Sequence, residues 1–152
     1  MASGDIVGWT HADMQTDPED VLRGLDLFEQ FGENIFVKGR RYGRPIADVT
    51  FTVGMSMFET LLLARPLWDI NAQPTMFPRN FLDVWRGSAP HDFSLDLYAY
   101  YQARRIGLEV HRFAVRFGER EHGVSHWNVS WAAKRSFIRR TVDFSFELKR
   151  RI

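Results

Sequence analysis

Cysteine is absent from this chain of 152 residues. Disulfides and thiolate chemistry are therefore excluded, and a reducing compartment fits without being required. Charge of one sign is not in excess either: 20 lysines and arginines stand against 19 aspartates and glutamates, a net charge of +1. Global charge thus selects no partner, and any basic surface must be local. There is no run of eighteen or more apolar residues, which predicts no membrane span, and Met1-Ala2-Ser3-Gly4-Asp5 lacks the features of a signal peptide. Internal repeats, low-complexity tracts and linkers are missing too, so residues 1–152 read as one domain. What the chain does have is apolar material, 45% of its residues, enough at this length to bury roughly two-thirds of the unfolded surface.

The stretch with the most chemistry lies near the start. Gly4-Asp5-Ile6-Val7-Gly8-Trp9 is an apolar run that predicts a buried central strand, and it stops in Thr10-His11-Ala12-Asp13-Met14-Gln15-Thr16-Asp17-Pro18. Asp17-Pro18-Glu19-Asp20 is a helix-start signal. Strand, polar tip and helix form the grammar of an α/β sheet, whose ligands gather at strand carboxyl ends. On an extended segment His11, Asp13 and Gln15 would share one face, and imidazole, carboxylate and amide oxygen suit Mn²⁺ or Mg²⁺. The same residues also fit a plainer role, with Asp13 and Asp17 capping the helix and His11 hydrogen-bonded at the strand end.

Farther on, Pro18 to Phe31 predicts a helix with an apolar stripe through Val21, Leu22, Leu25, Leu27 and Phe28, ended by Gly32. A short strand over 34–39 follows, then a loop, Arg40-Arg41-Tyr42-Gly43-Arg44-Pro45, carrying three guanidinium groups. Ile46 to Ala64 is almost uncharged and reads as a core helix or an interfacial one. Asn80 to Trp85 predicts a short helix, and residues 91–107 a longer one with Asp92 near its start and Gly107 as terminator. On it Asp92 and Asp96 lie one turn apart, fit for acid–base work or for capping plus a surface pairing of Asp96 with Arg104. Leu108 to Phe117 alternates as a strand at a sheet edge. The last segment, 131–152, is a basic amphipathic helix with interleaved aromatics, suited to an anionic membrane surface or to ordinary packing. No nucleic-acid recognition motif is present.

Several of these segments resemble glycosyltransferase family 2, in particular its dolichyl-phosphate mannose synthase-like group, which glycosylates polyprenyl phosphates. Residues 11–18 resemble that group's Asp-x-Asp segment, with His11, Asp13 and Gln15 at its metal-binding positions and His standing for the usual first Asp. Arg41 matches an arginine placed to meet phosphate. The stretch 68–74 is similar to one lining the sugar and acceptor pocket, which implies substrate-binding roles for Asp69 and Gln73, although Asn71, Ala72, Gln73 and Pro74 replace the usual Thr, Ser, Gly and Phe. Asp96 takes the position of an acid facing the reaction centre. Arg120, Gly123 and Ser125 match a loop that closes over the donor diphosphate, and His126 stands where lysine is frequent in it, a weaker and pH-dependent positive charge.

The resemblance implies an α/β, GT-A (Rossmann-like) glycosyltransferase fold without its amino-terminal nucleotide-binding strands. It implies a Mn²⁺ or Mg²⁺ cofactor, a nucleotide-sugar donor and a polyprenyl phosphate or similar lipid acceptor. Asp96 and Arg120 would be catalytic. The expected location is cytoplasmic, peripheral at the inner face of the membrane, and a homodimer paired through an exposed sheet edge is a further expectation. The alternative from another class is a non-catalytic fragment or pseudoenzyme that binds a membrane surface or a partner.

Overall fold

A computed structural model describes residues 3–11, 13, 15–118 and 131–151. In chain order the described elements are β1 (Ile6–Trp9), α1 (Asp20–Phe31), β2 (Ile35–Tyr42), α2 (Ile46–Leu63), β3 (Thr75–Pro78), α3 (Arg79–Trp85), α4 (Ser94–Ile106), β4 (Glu109–Arg116) and α5 (Trp131–Arg150), with a 3-10 turn at Arg86–Ser88. The sheet order is β1-β3-β2-β4; β3 runs antiparallel to both neighbours, whereas β2 and β4 are parallel. Among the described residues this is an open mixed sheet of four strands with five helices, an α/β arrangement compatible with a Rossmann-like fold.

Alternation along β2 sends its side chains to opposite faces and so divides the core. Ile35 and Val37 pack with Phe28 of α1 and Met76 of β3 on one side. On the other side Phe36 joins Phe77, Phe81, Trp85, Leu97 and Tyr100 in a larger cluster beneath α3 and α4. Aromatic rings organise that cluster: Phe36 stacks on both Phe77 and Tyr100, at centroid distances of 5.8 and 5.7 Å. Lys38 continues this inner face and is completely buried. Next along the strand, Gly39 donates its N–H to the Pro74 carbonyl at 3.1 Å. A Cβ there would lie 2.0 Å from the Gln73 carbonyl oxygen, so Gly39→Ala is expected to lower stability by about 3 kcal/mol, the upper part of the usual overpacking range. Urea denaturation measures it; a loss below about 1 kcal/mol would mean that the 73–74 backbone yields easily.

Several expectations need correction. β1 is an edge strand rather than a buried central one, and its residues are half-buried or exposed. Its outer side has no strand partner among the described residues. α1 starts at Asp20, two positions after Pro18, because Asp17 first forms a turn: its carbonyl accepts Asp20 N–H and its carboxylate accepts Glu19 N–H. The expected stripe on α1 is only partly inward, with Phe28 buried but Leu22 and Leu25 exposed. Arg40 and Arg41 belong to β2, not to a loop, since pairing with β4 continues to Tyr42 opposite Arg116.

The largest departure is α2. A core helix buries its apolar side, but the residues buried on α2 are Ser56, Glu59 and Leu63. Ile46 is 85% exposed, Leu61 78% and Met57 57%. By length and mean hydropathy alone it reaches the measure of a membrane-crossing helix, contrary to the expectation that no segment does. Other expectations hold: α4 ends at Gly107 in the left-handed region with Leu108 N–H returning to the Ala103 carbonyl, and β4 lies at a sheet edge.

Candidate functional site

Because β3 is antiparallel to both β1 and β2, the carboxyl ends of β1, β2 and β4 lie at one edge of the sheet. The loop 64–74 arrives at the same edge, where Thr75 begins β3. His11, Asp13, Gln15, Arg41, Asp69, Gln73 and Asp96 are thereby gathered from separate parts of the chain. Arg120, Ser125 and His126 lie outside the described residues.

Among the described residues beyond β1, Asp13, Gln15 and Thr16 lie at bends rather than in a strand, so simple alternation does not set their directions. Gln15 N–H donates to Asp13 Oδ1 at 3.3 Å, a turn made by the aspartate on its own backbone. Gln15 then meets the far end of the sheet: its side-chain Nε2 donates to the Gly118 carbonyl at 3.1 Å, and Gly118 N–H donates to the Gln15 carbonyl at 2.8 Å. His11, Asp13 and Gln15 are all half-buried. Imidazole, carboxylate and amide are a donor set that suits Mn²⁺ when substrate oxygens complete the shell. Among the described residues there is no group of three or more His, Cys, Asp or Glu placed to hold a metal.

Arg41 and Asp69 form a tight pair. Asp69 accepts from the Arg41 backbone N–H at 3.1 Å, from Nε at 2.9 Å and from Nη2. Asp69 sits in the left-handed region, φ 44°, and its own N–H donates to Ser56 Oγ. Arg44 Nη2 approaches the same carboxylate at 3.7 Å, and Arg112 Nη2 donates to the Asp69 carbonyl at 3.1 Å. Burial alone would raise the Asp69 carboxyl, but the hydrogen bonds and charge of Arg41, with Arg44, hold it below the ordinary carboxylate range. Burial also pushes Arg44 and Arg112 below the usual guanidinium value. One carboxylate therefore faces three guanidiniums, and Arg44 Nε and Arg112 Nε and Nη1 are buried without hydrogen-bond partners among the described residues. Asp69 spends its oxygens on Arg41 and orients it, leaving Arg41 Nη1 as the nitrogen outside the pair.

Asp96 is the hub of a second, deeper set. It is buried and accepts from Trp9 Nε1 at 3.1 Å, Gln73 Nε2 at 2.9 and 3.0 Å, and Thr75 Oγ1 at 3.2 Å. Lys38 Nζ donates to Thr75 Oγ1 at 2.7 Å and stands 3.6 Å from Asp96 Oδ1. Burial lowers the Lys38 pKa to about 8, partly opposed by Asp96. The expected surface pairing of Asp96 with Arg104 is therefore replaced by an interior one, because α4 turns Asp96 toward the sheet. Asp92 does cap the helix, accepting Ser94 N–H at 2.9 Å. Gln73, expected at the substrate, donates its Nε2 to Asp96.

Beside Arg41, a cavity of about 50 Å³ runs between α2, the start of α4 and α5, lined by Phe51, Met55, Ser56, Glu59, Asn71 and Phe137 among others. Glu59 lies at it fully buried, with Ser145 Oγ 2.6 Å from Oε1 and no partner for Oε2 among the described residues. Sequence reasoning passed over Lys38, Glu59, Arg112 and Trp9. The signal for two of them was a lone charge within an apolar segment: Lys38 after Ile35-Phe36-Val37 and Glu59 within 49–63. No protein-family model matches the chain, and none of the curated proteins or solved structures compared with it matches either.

Proposed function

We propose that this chain is part of a GT-A-type, metal-dependent glycosyltransferase domain that transfers a sugar from a nucleotide-sugar to a polyprenyl phosphate or similar lipid acceptor. The observation that carries the reading is the two-way hydrogen bonding of Gln15 with Gly118. It joins the metal-type segment 11–17 to the point from which the cation-bearing stretch 120–126 departs, two motifs widely separated in sequence that such a reaction needs together. The edge position of β1 also fits, since nucleotide-binding strands of that fold would add there.

In this reading His11, Asp13 and Gln15 hold Mn²⁺ or Mg²⁺, which when bound would neutralise the diphosphate of the donor. Arg41, fixed by Asp69, offers Nη1 to a phosphate oxygen, and Arg44 and Arg112 add positive potential behind it. Asp96 serves as a positioning residue: it locks Gln73 and Trp9 at the sheet edge rather than meeting substrate directly. Catalysis then rests on orientation and charge neutralisation, because a phosphate acceptor is already anionic and needs little help from a base. Arg120, Ser125 and His126 would close over the leaving diphosphate.

Calorimetric titration is expected to show Mn²⁺ binding at least tenfold tighter than Mg²⁺, since imidazole at His11 replaces a hard carboxylate. His11→Asp should erase or reverse that preference. Transfer to polyprenyl phosphate from a panel of nucleotide-sugars is the companion assay. Negligible metal binding by both proteins would overturn the site; metal binding without transfer from any donor would favour the non-catalytic alternative.

A further inference from the structure

Few side chains hold α5 to the domain. Among its described residues Ser145 and Leu148 are buried, Phe137, Thr141, Val142 and Phe144 are half-buried, and every charged one from Arg135 to Arg151 is exposed. An element with so little buried apolar contact opens at lower cost than the core. Its polar contact with α2 is of another kind, because Ser145 and Glu59 are both completely buried.

Ser145 Oγ stands 2.6 Å from Glu59 Oε1 and 2.7 Å from the Thr141 carbonyl oxygen. Its single proton satisfies one of them, so both contacts are made only when Glu59 carries a proton of its own and donates it to Ser145. Without that proton Oε2 is a buried anionic oxygen with no partner among the described residues, beside a cavity walled by Phe51, Met55 and Phe137. The surrounding charges are committed elsewhere. Arg41, which shares the cavity, is gripped by Asp69, and Arg44 turns to Thr52 and Asp69. At α4, Asp92 caps the helix and Asp96 is bonded to Gln73 and Thr75. Asp48 lies about three turns away at the start of α2. A carboxylate so placed is relieved by water, and water reaches Oε2 only if the two helices part.

We propose that the Glu59 proton is a latch between α2 and α5: in place, it keeps the cavity beside Arg41 at about 50 Å³, and its loss lets residues 141–148 lift from α2 and widen that cavity. The latch belongs to these two helices and acts whatever the chemistry at the sheet edge. Its pH window follows from the two states. Lifted, Glu59 titrates near the ordinary 4.5; latched, burial raises it to about 7 against the Ser145 hydrogen bond. The latched state is therefore fully favoured below 4.5, and opening grows as pH rises to about 7 and levels off above it, where the acid is ionised in both states.

The chain has no cysteine of its own, so Thr141→Cys on the α5 wall of the cavity reports opening by its rate of reaction with dilute dithiodipyridine, scaled at each pH to the rate of the same protein unfolded in urea. Met55→Cys, on the α2 wall, is a second reporter. Ala103→Cys, in the core with no exposure, reports global unfolding. Both cavity cysteines are expected to react about tenfold faster or more at pH 8 than at pH 5. They should also react faster than Ala103→Cys throughout and be indifferent to urea below the unfolding transition, because a local opening exposes little surface. Adding Glu59→Gln should flatten the profile. Adding Ser145→Ala should raise labelling at pH 5 by about tenfold, the worth of one hydrogen bond. A flat profile in the native background, or a rise that survives Glu59→Gln, overturns the proposal. So does labelling of the cavity cysteines at the Ala103→Cys rate with the same urea dependence, which would make the opening global unfolding.

Discussion

Asp96→Ala is expected to destabilise the fold by about 3–5 kcal/mol at pH 7, the usual cost of removing one partner from a buried ion pair. The substitution withdraws the acceptor from Trp9, Gln73 and Thr75 and strands the Lys38 ammonium, which has no exposure to water. The cost has a ceiling. A stranded lysine can lose its proton, and deprotonating a group whose ordinary value is 10.5 takes about 5 kcal/mol at pH 7. The pH dependence follows from the direction of the shift. A depressed lysine pKa gives stability that is complete above the unfolded value and is lost as pH falls toward the folded one. The variant should therefore recover stability as pH rises from 7 toward 10, over a wider window than the native protein, whose Lys38 stays near 8. Lys38→Met in the Asp96→Ala background should return part of the loss, and a double-mutant cycle by urea denaturation measures the coupling. A single-variant loss below about 1 kcal/mol would show that the hub contributes little to stability.

Glu59→Gln should stabilise the protein by about 3 kcal/mol at pH 8 and leave it nearly unchanged at pH 4.5. Ser145 Oγ lies 2.6 Å from Glu59 Oε1 and 2.7 Å from the Thr141 carbonyl oxygen, and one hydroxyl proton cannot serve both. A neutral Glu59 resolves this: its O–H donates to Ser145, and Ser145 donates to Thr141. Burial favours the same state, raising the Glu59 pKa to about 7 against the opposing hydrogen bond from Ser145. For an acid raised in this way, stability is full below the ordinary value of 4.5 and is lost as pH rises through 7. Two and a half units correspond to about 3 kcal/mol. Glutamine copies the neutral acid in shape and supplies an N–H in place of the O–H, so it removes the pH dependence while keeping the α2 to α5 link. Urea midpoints for both proteins across pH 5 to 8 test this; parallel curves would place the proton elsewhere.

How legible the molecule was in its sequence differs by element. α2, α4 and β4 were readable because each spans two or more turns or a full alternation and has a Gly or Pro nearby to end it, and α5 was readable from its length and amphipathic pattern alone. β3 was not. Its four residues follow Pro74 and carry no periodicity, and they become a strand only through pairing with β1 and β2. With β3 unseen, β1 looked central, because an apolar run of four residues reads the same at an edge as in the middle of a sheet. The composition of the site was visible in the acids, arginines and amides singled out, but their partners were not. That Arg41 grips Asp69, and that Asp96 collects Gln73, Trp9 and Lys38, depends on loop and helix placement that local pattern does not encode. Apolar content suggested burial for 46–63, yet content does not say which way a helix faces when its polar residues have partners inside.

The clamp between Gln15 and Gly118 makes two segments thermodynamically reciprocal. Two hydrogen bonds between them are worth about 1–3 kcal/mol together, which bounds their mutual influence at roughly 5- to 150-fold in affinity. Whatever ligand favours Gln15 in its place on Gly118 favours Gly118 in turn, and a ligand that favours Gly118 in this place strengthens the grip on the first by the same factor. Ordered binding, with one ligand recruiting the next, is thus available to this fold without any movement of the sheet.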